Sequence, residues 1–456
     1  MAGIGFELRR LLRRESFFSY LRAYGSAGLI SSGPWVFSIV SVLIIGACSA
    51  GVVQPREQVV QFLTSVTALM AGSLLLTSPL QLMFSRFVAD RVYAHRQVEI
   101  LPNVFGALTV TTGLGSGVGA LLVPSFGDAP PHVAWLMVGA LVTLSDVWIV
   151  VVLLSGLKAY REVLAAFAGG NALSVMGALG LRPWGLLGLL AGFLTGQAMM
   201  FFVLTAIVIR RHPSNSLVSF DFLRPSEAHY DLAVTGLLYN AGIWADKLVF
   251  WSDPNTSDRV LGPLRSSVLY DLPIFIAYLS IVPGMAVFLM RIETDFAEQY
   301  ESFFGAIRSG ATLGEIRRVQ SLLIEAVRTG LFDILKVQGL TVIVLILAGP
   351  ALLHVAGISP LYVQLLNVDV VGVGLQVFLL ALLSVLFYLD RRGEALAVTG
   401  LFAVANFSLT QLSLTLGPEY FGYGFALAAL TASLLAVSLL NRRLARLDAD
   451  TFMGQA

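Results

Sequence analysis

The chain has 456 residues, of which 57% are hydrophobic and 12% are charged, and its formal net charge at pH 7 is +1. Soluble domains carry roughly 25% charged residues, so this composition excludes an ordinary soluble globule and favours a protein whose surface meets hydrocarbon. No basic tract supports nucleic acid as a partner. Cys48 is the only cysteine, and the five histidines form no zinc-ligand spacing. Neither a metal, a cofactor nor a catalytic residue is therefore expected.

Apolar runs set the predicted architecture, because about 20 apolar residues are needed to cross a bilayer core of about 30 Å. Twelve such runs occur near residues 26–50, 60–84, 101–123, 134–155, 163–181, 185–209, 231–252, 267–290, 335–356, 362–389, 395–416 and 421–441. They predict an all-α, polytopic membrane protein of about twelve transmembrane helices. Residues 26–209 and 231–441 are predicted to form two six-helix bundles, joined by a cytoplasmic linker at 210–230. The second bundle includes a cytoplasmic loop at 291–336, and the ends of the chain are a basic cytoplasmic N-terminus at 1–25 and a cytoplasmic tail at 442–456.

Charge predicts the orientation of these helices. Lys and Arg accumulate in cytoplasmic loops of membrane proteins. With an intracellular N-terminus and twelve spans, most of the 29 Lys and Arg residues fall in loops on the inner side. This pattern predicts that both termini lie in the cytoplasm, as expected for a multi-pass inner-membrane protein. Residues 1–25, rich in arginine and apolar side chains, are predicted to form a basic amphipathic segment on the inner leaflet, a topology signal, or both.

The chain divides into two halves of six spans each. The first span begins Gly28-Leu-Ile-Ser-Ser-Gly-Pro-Trp35, and the seventh begins Gly236-Leu-Leu-Tyr-Asn-Ala-Gly-Ile-Trp244. Two six-helix bundles that both start from the cytoplasm are typical of transporters with parallel repeats, which carry substrate at the repeat interface. We therefore expect two six-helix bundles with the substrate path between them.

Polar and aromatic side chains within the spans are the candidates for lining a substrate path. Charged groups are costly in a membrane and usually face a cavity or a partner. The candidate path residues are Trp35, Asp146, Trp148, Asn171, Tyr239, Asn240, Trp244, Asp246, Lys247, Asp369 and Asn406. The alternatives are a structural role for Asp246 and Lys247 between helices, and lipid-facing or packing roles for the aromatic rings.

The longest predicted inner loop ends in a helical pattern. Apolar residues recur at helical spacing among charged ones near its end. Such a helix either docks a cytosolic partner or only links two spans, and the candidate docking residues are Arg317, Arg318, Leu323, Val327 and Arg328.

Two N-terminal strings carry a family resemblance. The start Met1-Ala-Gly-Ile-Gly-Phe-Glu-Leu-Arg-Arg-Leu11, followed by Tyr24-Gly-Ser-Ala-Gly-Leu-Ile-Ser-Ser-Gly-Pro-Trp35, closely resembles the PelG family. Length, span count and the long eighth-to-ninth loop agree over essentially the whole chain. The family looks like a polysaccharide branch of the multidrug/oligosaccharidyl-lipid/polysaccharide flippase superfamily. The resemblance implies export of the Pel exopolysaccharide together with a cytosolic glycosyltransferase (PelF) and two membrane partners (PelD and PelE).

Alternative functions differ in what they require of the spans. A flippase for lipid-linked pyrophosphates would need cationic side chains in its passage, whereas Lys247 is the one basic residue well inside a span and adjoins Asp246. An ion-coupled small-molecule antiporter would use Asp146 or Asp369 as a protonated carboxylate. A non-conducting scaffold that activates the glycosyltransferase would tolerate changes along the path. A membrane-embedded glycosyltransferase would need a nucleotide-sugar site, and the sequence offers no domain for one.

Overall fold

A computed structural model describes residues 17–127, 129–355 and 359–447. Most of the predicted amphipathic N-terminal segment and the end of the predicted tail lie outside these residues. The described chain forms fourteen α-helices: α1 Phe17–Ser49, α2 Glu57–Tyr93, α3 Ile100–Leu122, α4 Pro131–Gly156, α5 Tyr160–Leu181, α6 Gly185–Arg211, α7 Tyr230–Ser252, α8 Val268–Tyr278, α9 Ile281–Met290, α10 Ala297–Arg308, α11 Leu313–Val355, α12 Val363–Tyr388, α13 Arg392–Leu416 and α14 Tyr423–Ala445.

The helices confirm the predicted all-α membrane fold. Ten described stretches are long and apolar enough to cross a membrane. One of them, Tyr160–Arg211, contains both α5 and α6, which are separated by a turn at Arg182–Trp184. Helix α7 is not among the ten because its polar residues, including Asp246 and Lys247, lower its hydropathy. Counting α5 and α6 separately and adding α7 gives the predicted number of about twelve spans, so this is a multi-pass membrane protein.

Contacts group the helices into two compact units. One unit holds residues 33–268, and the other holds the residues up to 32 together with those from 269 onward. Helix α7 therefore packs with the helices that precede it, chiefly α2. The predicted bundles at 26–209 and 231–441 divide the chain differently and stay a prediction about internal repeats.

Within the unit of residues 33–268, small residues allow very close helix packing. Helix α6 lies against α5 so closely that a Cβ on Gly192 would come within 2.1 Å of the Ala178 amide nitrogen. A two-stranded antiparallel hairpin, β1 Asp258–Leu261 and β2 Leu264–Ser266, follows α7. Gln61 Nε2 donates to the Val260 carbonyl at 3.4 Å and ties this hairpin to the start of α2.

Within the other unit, the eighth and ninth spans extend well beyond the predicted boundaries. The predicted span at 267–290 is two helices, α8 and α9, continued by a π-helical turn at Arg291–Phe296 and by α10. Helix α11 has 43 residues, which corresponds to about 64 Å, roughly twice the bilayer core. The segment 291–336, predicted as a loop, is thus almost wholly helical. Its helices α10 and the first half of α11 pack against each other and bury apolar residues between them.

Four helices end in the same left-handed turn, and these turns recur six spans apart. The residue with positive φ is His95 after α2, Lys158 after α4, Gly310 after α10 and Asp390 after α12. In each case the next residue donates its amide to the carbonyl five positions earlier, as in Arg96 to Arg91 and Arg391 to Leu386. This is the Schellman pattern. The turn recurs at spans two, four, eight and ten, which is the spacing that a repeat of six spans predicts.

Candidate functional site

Two tryptophans predicted to line the path lie together in the unit of residues 33–268. The rings of Trp35 on α1 and Trp148 on α4 stack with centroids 6.2 Å apart at an interplanar angle of 30°. Trp148 is buried, and its Nε1 donates to Ser73 Oγ at 3.0 Å. Trp35 is 39% exposed. The tryptophan pair therefore consists of a partly exposed ring stacked on a buried ring that a hydrogen bond fixes in place.

Asn171 lies beside the tryptophan pair as a structural tie. Ser41 Oγ donates to Asn171 Oδ1 at 2.9 Å, and Asn171 Nδ2 donates to the Phe167 carbonyl at 3.0 Å. The Phe167 ring lies 6.4 Å from Trp148. Asn171 is buried, and the hydrogen bond from Ser41 to its side chain links α1 to α5.

Asn406 shares a sequence signal with Asn171 that the span analysis missed. The string Phe167-Ala-Gly-Gly-Asn171 on α5 matches Phe402-Ala-Val-Ala-Asn406 on α13 at its phenylalanine, alanine and asparagine. Asn406 is also buried, and its Oδ1 accepts a hydrogen bond from Thr410 Oγ1 at 3.0 Å. The match joins the fifth and eleventh spans, six apart, and is more specific than the Gly28 and Gly236 strings.

Asp146 lies away from the tryptophan pair, although only one residue separates it from Trp148. Two residues on a helix are about 200° apart, so the carboxylate faces α3. Thr111 Oγ1 donates to Asp146 Oδ1, and Thr112 Oγ1 donates to Oδ2 at 2.8 Å. Asp146 is 6% exposed. The structure thus places this predicted path residue in a buried contact between α3 and α4.

Asp246 and Lys247 neutralise each other inside α7. Lys247 Nζ lies 2.9 Å from Asp246 Oδ2 and donates to the Ile243 carbonyl at 3.0 Å. Both side chains are essentially fully buried. Trp244 is also buried, and its ring lies 6.1 Å from that of Trp251. These three predicted path residues pack within their unit, as the structural alternative expects.

The remaining predicted path residues are dispersed. Tyr239 and Asn240 are half-buried on α7, where Asn240 Nδ2 donates to the Gly236 carbonyl at 3.2 Å. Asp369 on α12 is fully buried in the other unit, and a Cβ on Gly422 would come within 2.9 Å of its Oδ1. Of the predicted path residues, Trp35 and Trp148 contact each other, and Asn171 is connected to Trp148 only through Phe167.

The predicted docking residues divide between the inside and the outside of α11. Leu323 and Val327 are buried within their own unit and are not available to a partner in this conformation. Their burial explains the helical spacing, which marks packing of α11 against α10 and the preceding π-helical turn. Arg317, Arg318 and Arg328 are exposed, so any docking role falls on these arginines.

Residues 212–229, predicted as a plain linker, form an ordered structure here called the docked segment. Asn103 on α3 binds it in both directions, because Asn103 Oδ1 accepts from the Asp221 amide at 2.8 Å and Nδ2 donates to Asp221 Oδ2 at 3.1 Å. Phe222 is fully buried, and its ring lies 5.4 Å from that of Phe84 on α2. Glu227 pairs with Arg91. The docked segment therefore packs on the C-terminal end of α2 and the N-terminal end of α3.

The Asp221 carboxylate makes this docking dependent on pH. Burial raises the pKa of Asp221, but hydrogen bonds from Ser219 and Asn103 and the charges of Arg224 and Arg91 outweigh burial, so its pKa lies below the usual value. Such a group stabilises the fold above its unfolded pKa of about 3.9. That stabilisation is lost as the pH falls through the lower, folded pKa.

We therefore expect Asp221→Asn to lower the thermal unfolding midpoint most at neutral pH. The difference in midpoint from the natural chain should begin to narrow as the pH falls below about 4, where Asp221 takes up a proton in the unfolded state. It should close below the lower, folded pKa, where Asp221 is protonated in both states. Thermal unfolding of the purified protein across this pH range measures the gap. The exposed Asp258→Asn on the hairpin is the matched control. A gap for Asp221→Asn that is independent of pH would contradict the assignment.

Comparison with known proteins places this arrangement in a transporter family. A family described as "PelG: Putative exopolysaccharide Exporter (EPS-E)" matches residues 1–452. Among curated protein sequences, none matches the chain.

Solved structures of transporters share the fold. A crystal structure of MATE in complex with MaD3S is 15% identical to this chain, with a TM-score of 0.65. An outward-facing multidrug resistance MATE transporter of the MOP superfamily is 14% identical, with a TM-score of 0.63. A MOP superfamily transporter from Pyrococcus furiosus, described as having reversed polarity of the binding pocket, has 14% and 0.60. Each alignment covers 93% of this chain and 97% of the other.

At these identities the structural likeness shows the fold alone. The family match, in contrast, spans nearly the whole chain. A transporter fold and an exporter family together make the protein a membrane transporter and not an enzyme. This chain therefore belongs to the PelG family of exopolysaccharide exporters.

Proposed function

We propose that this protein exports nascent Pel-type exopolysaccharide from the cytoplasm to the periplasm across the bacterial inner membrane. The observation that carries the proposal is the tryptophan pair, with Trp35 open and Trp148 fixed by Ser73. Aromatic faces suit the C–H faces of sugar rings, and a rigid ring offers contact area at little cost in conformational entropy. A stacking surface of this kind allows a sugar chain to slide, because each residue of the polymer presents a similar face.

The charge distribution favours a neutral or weakly cationic glycan over a lipid-linked pyrophosphate. The one basic residue well inside a span, Lys247, is buried and paired with Asp246. It is not open to a phosphate in this conformation. Recognition of a pyrophosphate would call for exposed arginine or lysine side chains, whereas the open side chain of the tryptophan pair is uncharged.

Coupling to a cytosolic glycosyltransferase (PelF), with PelD and PelE as membrane partners, belongs to the same proposal. Its support is membership of the family and the exposed Arg317, Arg318 and Arg328 on α11. Placement of these arginines in the cytoplasm, with both termini on that side, rests on the bias of Lys and Arg toward inner loops.

We expect Trp35→Ala to slow polysaccharide secretion about fivefold, the effect of losing about 1 kcal/mol of aromatic contact with the moving chain. The initial rate of polymer release from cells at matched protein levels measures this. Trp184→Ala is the matched control, because Trp184 is 67% exposed in the turn between α5 and α6, away from the tryptophan pair.

Co-purification of the glycosyltransferase separates transport from scaffolding. A protein that acts only as a scaffold needs only to assemble the complex. Cells with Trp35→Ala would then secrete polysaccharide at the normal rate. Normal secretion by Trp35→Ala with an intact complex would therefore reject the transport role of the tryptophan pair. Reduced secretion with an intact complex would support it.

A further inference from the structure

Asp146 is held by two hydroxyl groups from a single helix. Thr111 and Thr112 on α3 donate to the two different carboxylate oxygens. Neither partner is a cation. Asp246, in contrast, lies beside Lys247. An ionised carboxylate in a membrane is costly unless it is compensated, and hydroxyl donors compensate it only in part.

The hydroxyl of Thr111 has a second acceptor within reach. Thr111 Oγ1 lies 3.1 Å from the carbonyl oxygens of both Ala107 and Leu108. A hydroxyl carries one proton and can also accept. When Asp146 is ionised, Thr111 donates to Oδ1. When Oδ1 carries a proton, Asp146 donates to Thr111, and Thr111 turns its own proton to the Ala107 carbonyl.

Every group of this small network is therefore satisfied in both protonation states. Thr112 donates to Oδ2 throughout, since that oxygen remains an acceptor in the neutral acid. Buried polar groups that lose a partner usually cost about 1–3 kcal/mol, and neither state leaves one unpaired here. A carboxyl group that was only structural would need its hydrogen bonds complete in just one state.

The surroundings leave this carboxyl group electrostatically alone. Helices α2, α3, α5 and α6 pack against α4. Their sequences carry no charged residue over 58–85, 100–122, 163–181 and 185–209. On α4 itself the other titratable group is His132, 14 positions away or about 21 Å along the axis. Thr112 is exposed, so one side chain separates Asp146 from the surface of its unit.

We infer that Asp146 is a reversible proton-binding site of this transporter, and that Thr111 is the hydroxyl that reverses its hydrogen bond when the proton binds. A hydronium ion breaks one of its O–H bonds and leaves as water, and its proton forms an O–H bond with Asp146 Oδ1. Release of the proton to water reverses both changes, and no oxidation state changes. That this proton helps to drive export rests on the proposed function, whereas the existence of the site does not.

Infrared difference spectra of the purified full-length protein, recorded between acidic and alkaline buffer, test the site directly. We expect a carbonyl band of a protonated carboxylic acid that disappears on alkalinisation and is missing in Asp146→Asn. In Thr112→Val the band should move to higher frequency, because the carbonyl oxygen Oδ2 loses its donor. Thr109→Val is the matched control, since Thr109 is exposed one turn away and its hydroxyl donates to the Phe105 carbonyl at 2.7 Å.

Three results would overturn the site: no band dependent on Asp146, a band that pH does not change, or a band that Thr109→Val shifts as much as Thr112→Val. If adding NaCl at constant pH abolishes the band, Na⁺ and not a proton is the ion that Asp146 binds, and the proposed proton site is overturned. Secretion by Asp146→Asn tests the use of the proton separately. If the natural protein shows the titrating band but Asp146→Asn secretes normally, the site stands and only its coupling to export is overturned. Blocked secretion by Asp146→Asn would support the coupling.

Discussion

Lys247→Met is expected to destabilise the protein by about 3–5 kcal/mol, because it breaks a buried ion pair by removing only its positive member. Lys247 Nζ lies 2.9 Å from Asp246 Oδ2, and both side chains are essentially inaccessible. Methionine keeps the volume and flexibility of the lysine stem, so the change isolates the charge. Unfolding in mixed detergent micelles by SDS, followed by tryptophan fluorescence, measures the loss.

The double variant Asp246→Asn/Lys247→Met separates charge from packing. Replacing both members of a buried ion pair by neutral groups is often close to neutral for stability, so the double variant should recover most of the loss. Lys336→Met is the matched control, because the Lys336 side chain is 73% exposed on α11. A double variant as unstable as the single one would show that shape, and not charge, explains the effect. Normal secretion by the double variant would place the pair outside the substrate path.

The number of spans could be predicted from the sequence because each span has a minimum length set by the bilayer. The rotation of each span about its axis could not. Asp146 and Trp148 fall in the same predicted path, but the helix points them to nearly opposite sides, one toward Thr111 and the other toward Trp35. An apolar run without a strong amphipathic pattern contains little information on which face is open.

The helical spacing of apolar residues on α11, such as Leu323 and Val327, correctly predicts a helix. It does not predict what packs against the apolar face of that helix. Sequence periodicity reports that one face is apolar and does not say whether a partner or the same chain covers it. In the structure α11 itself packs against α10, so these two side chains are buried internally.

The docked segment was hardest to predict because its contacts join distant parts of the chain. Asn103 lies within an apolar run, and Asp221 lies in a polar stretch 118 residues later. A lone polar residue at the start of a span reads as an interfacial group. Only the fold reveals that its amide matches the backbone and side chain of Asp221.

Phe222→Ala is expected to release the docked segment, because Phe222 is the main apolar anchor of residues 212–229. Its side chain is fully buried and packs edge-to-face on Phe84, with Phe87 also adjacent. Truncating a buried phenylalanine to alanine costs about 3–5 kcal/mol. Local opening at the docked segment then becomes much more frequent, and amide hydrogen exchange over residues 219–229 should accelerate by about two to four powers of ten.

Phe220→Ala is the matched control, since Phe220 lies two positions away and is 45% exposed. It should leave exchange within a factor of a few of the natural rate. Equal acceleration of hydrogen exchange by the two variants would show that opening of the docked segment does not depend on Phe222. If only Phe222→Ala accelerates exchange, the anchor also keeps in place the contacts between α2 and the last residues of the docked segment, Asp90 with His229 and Arg91 with Glu227. The docked segment would then act as a clamp on α2 and α7, and secretion by Phe222→Ala would show whether export requires that clamp to be closed.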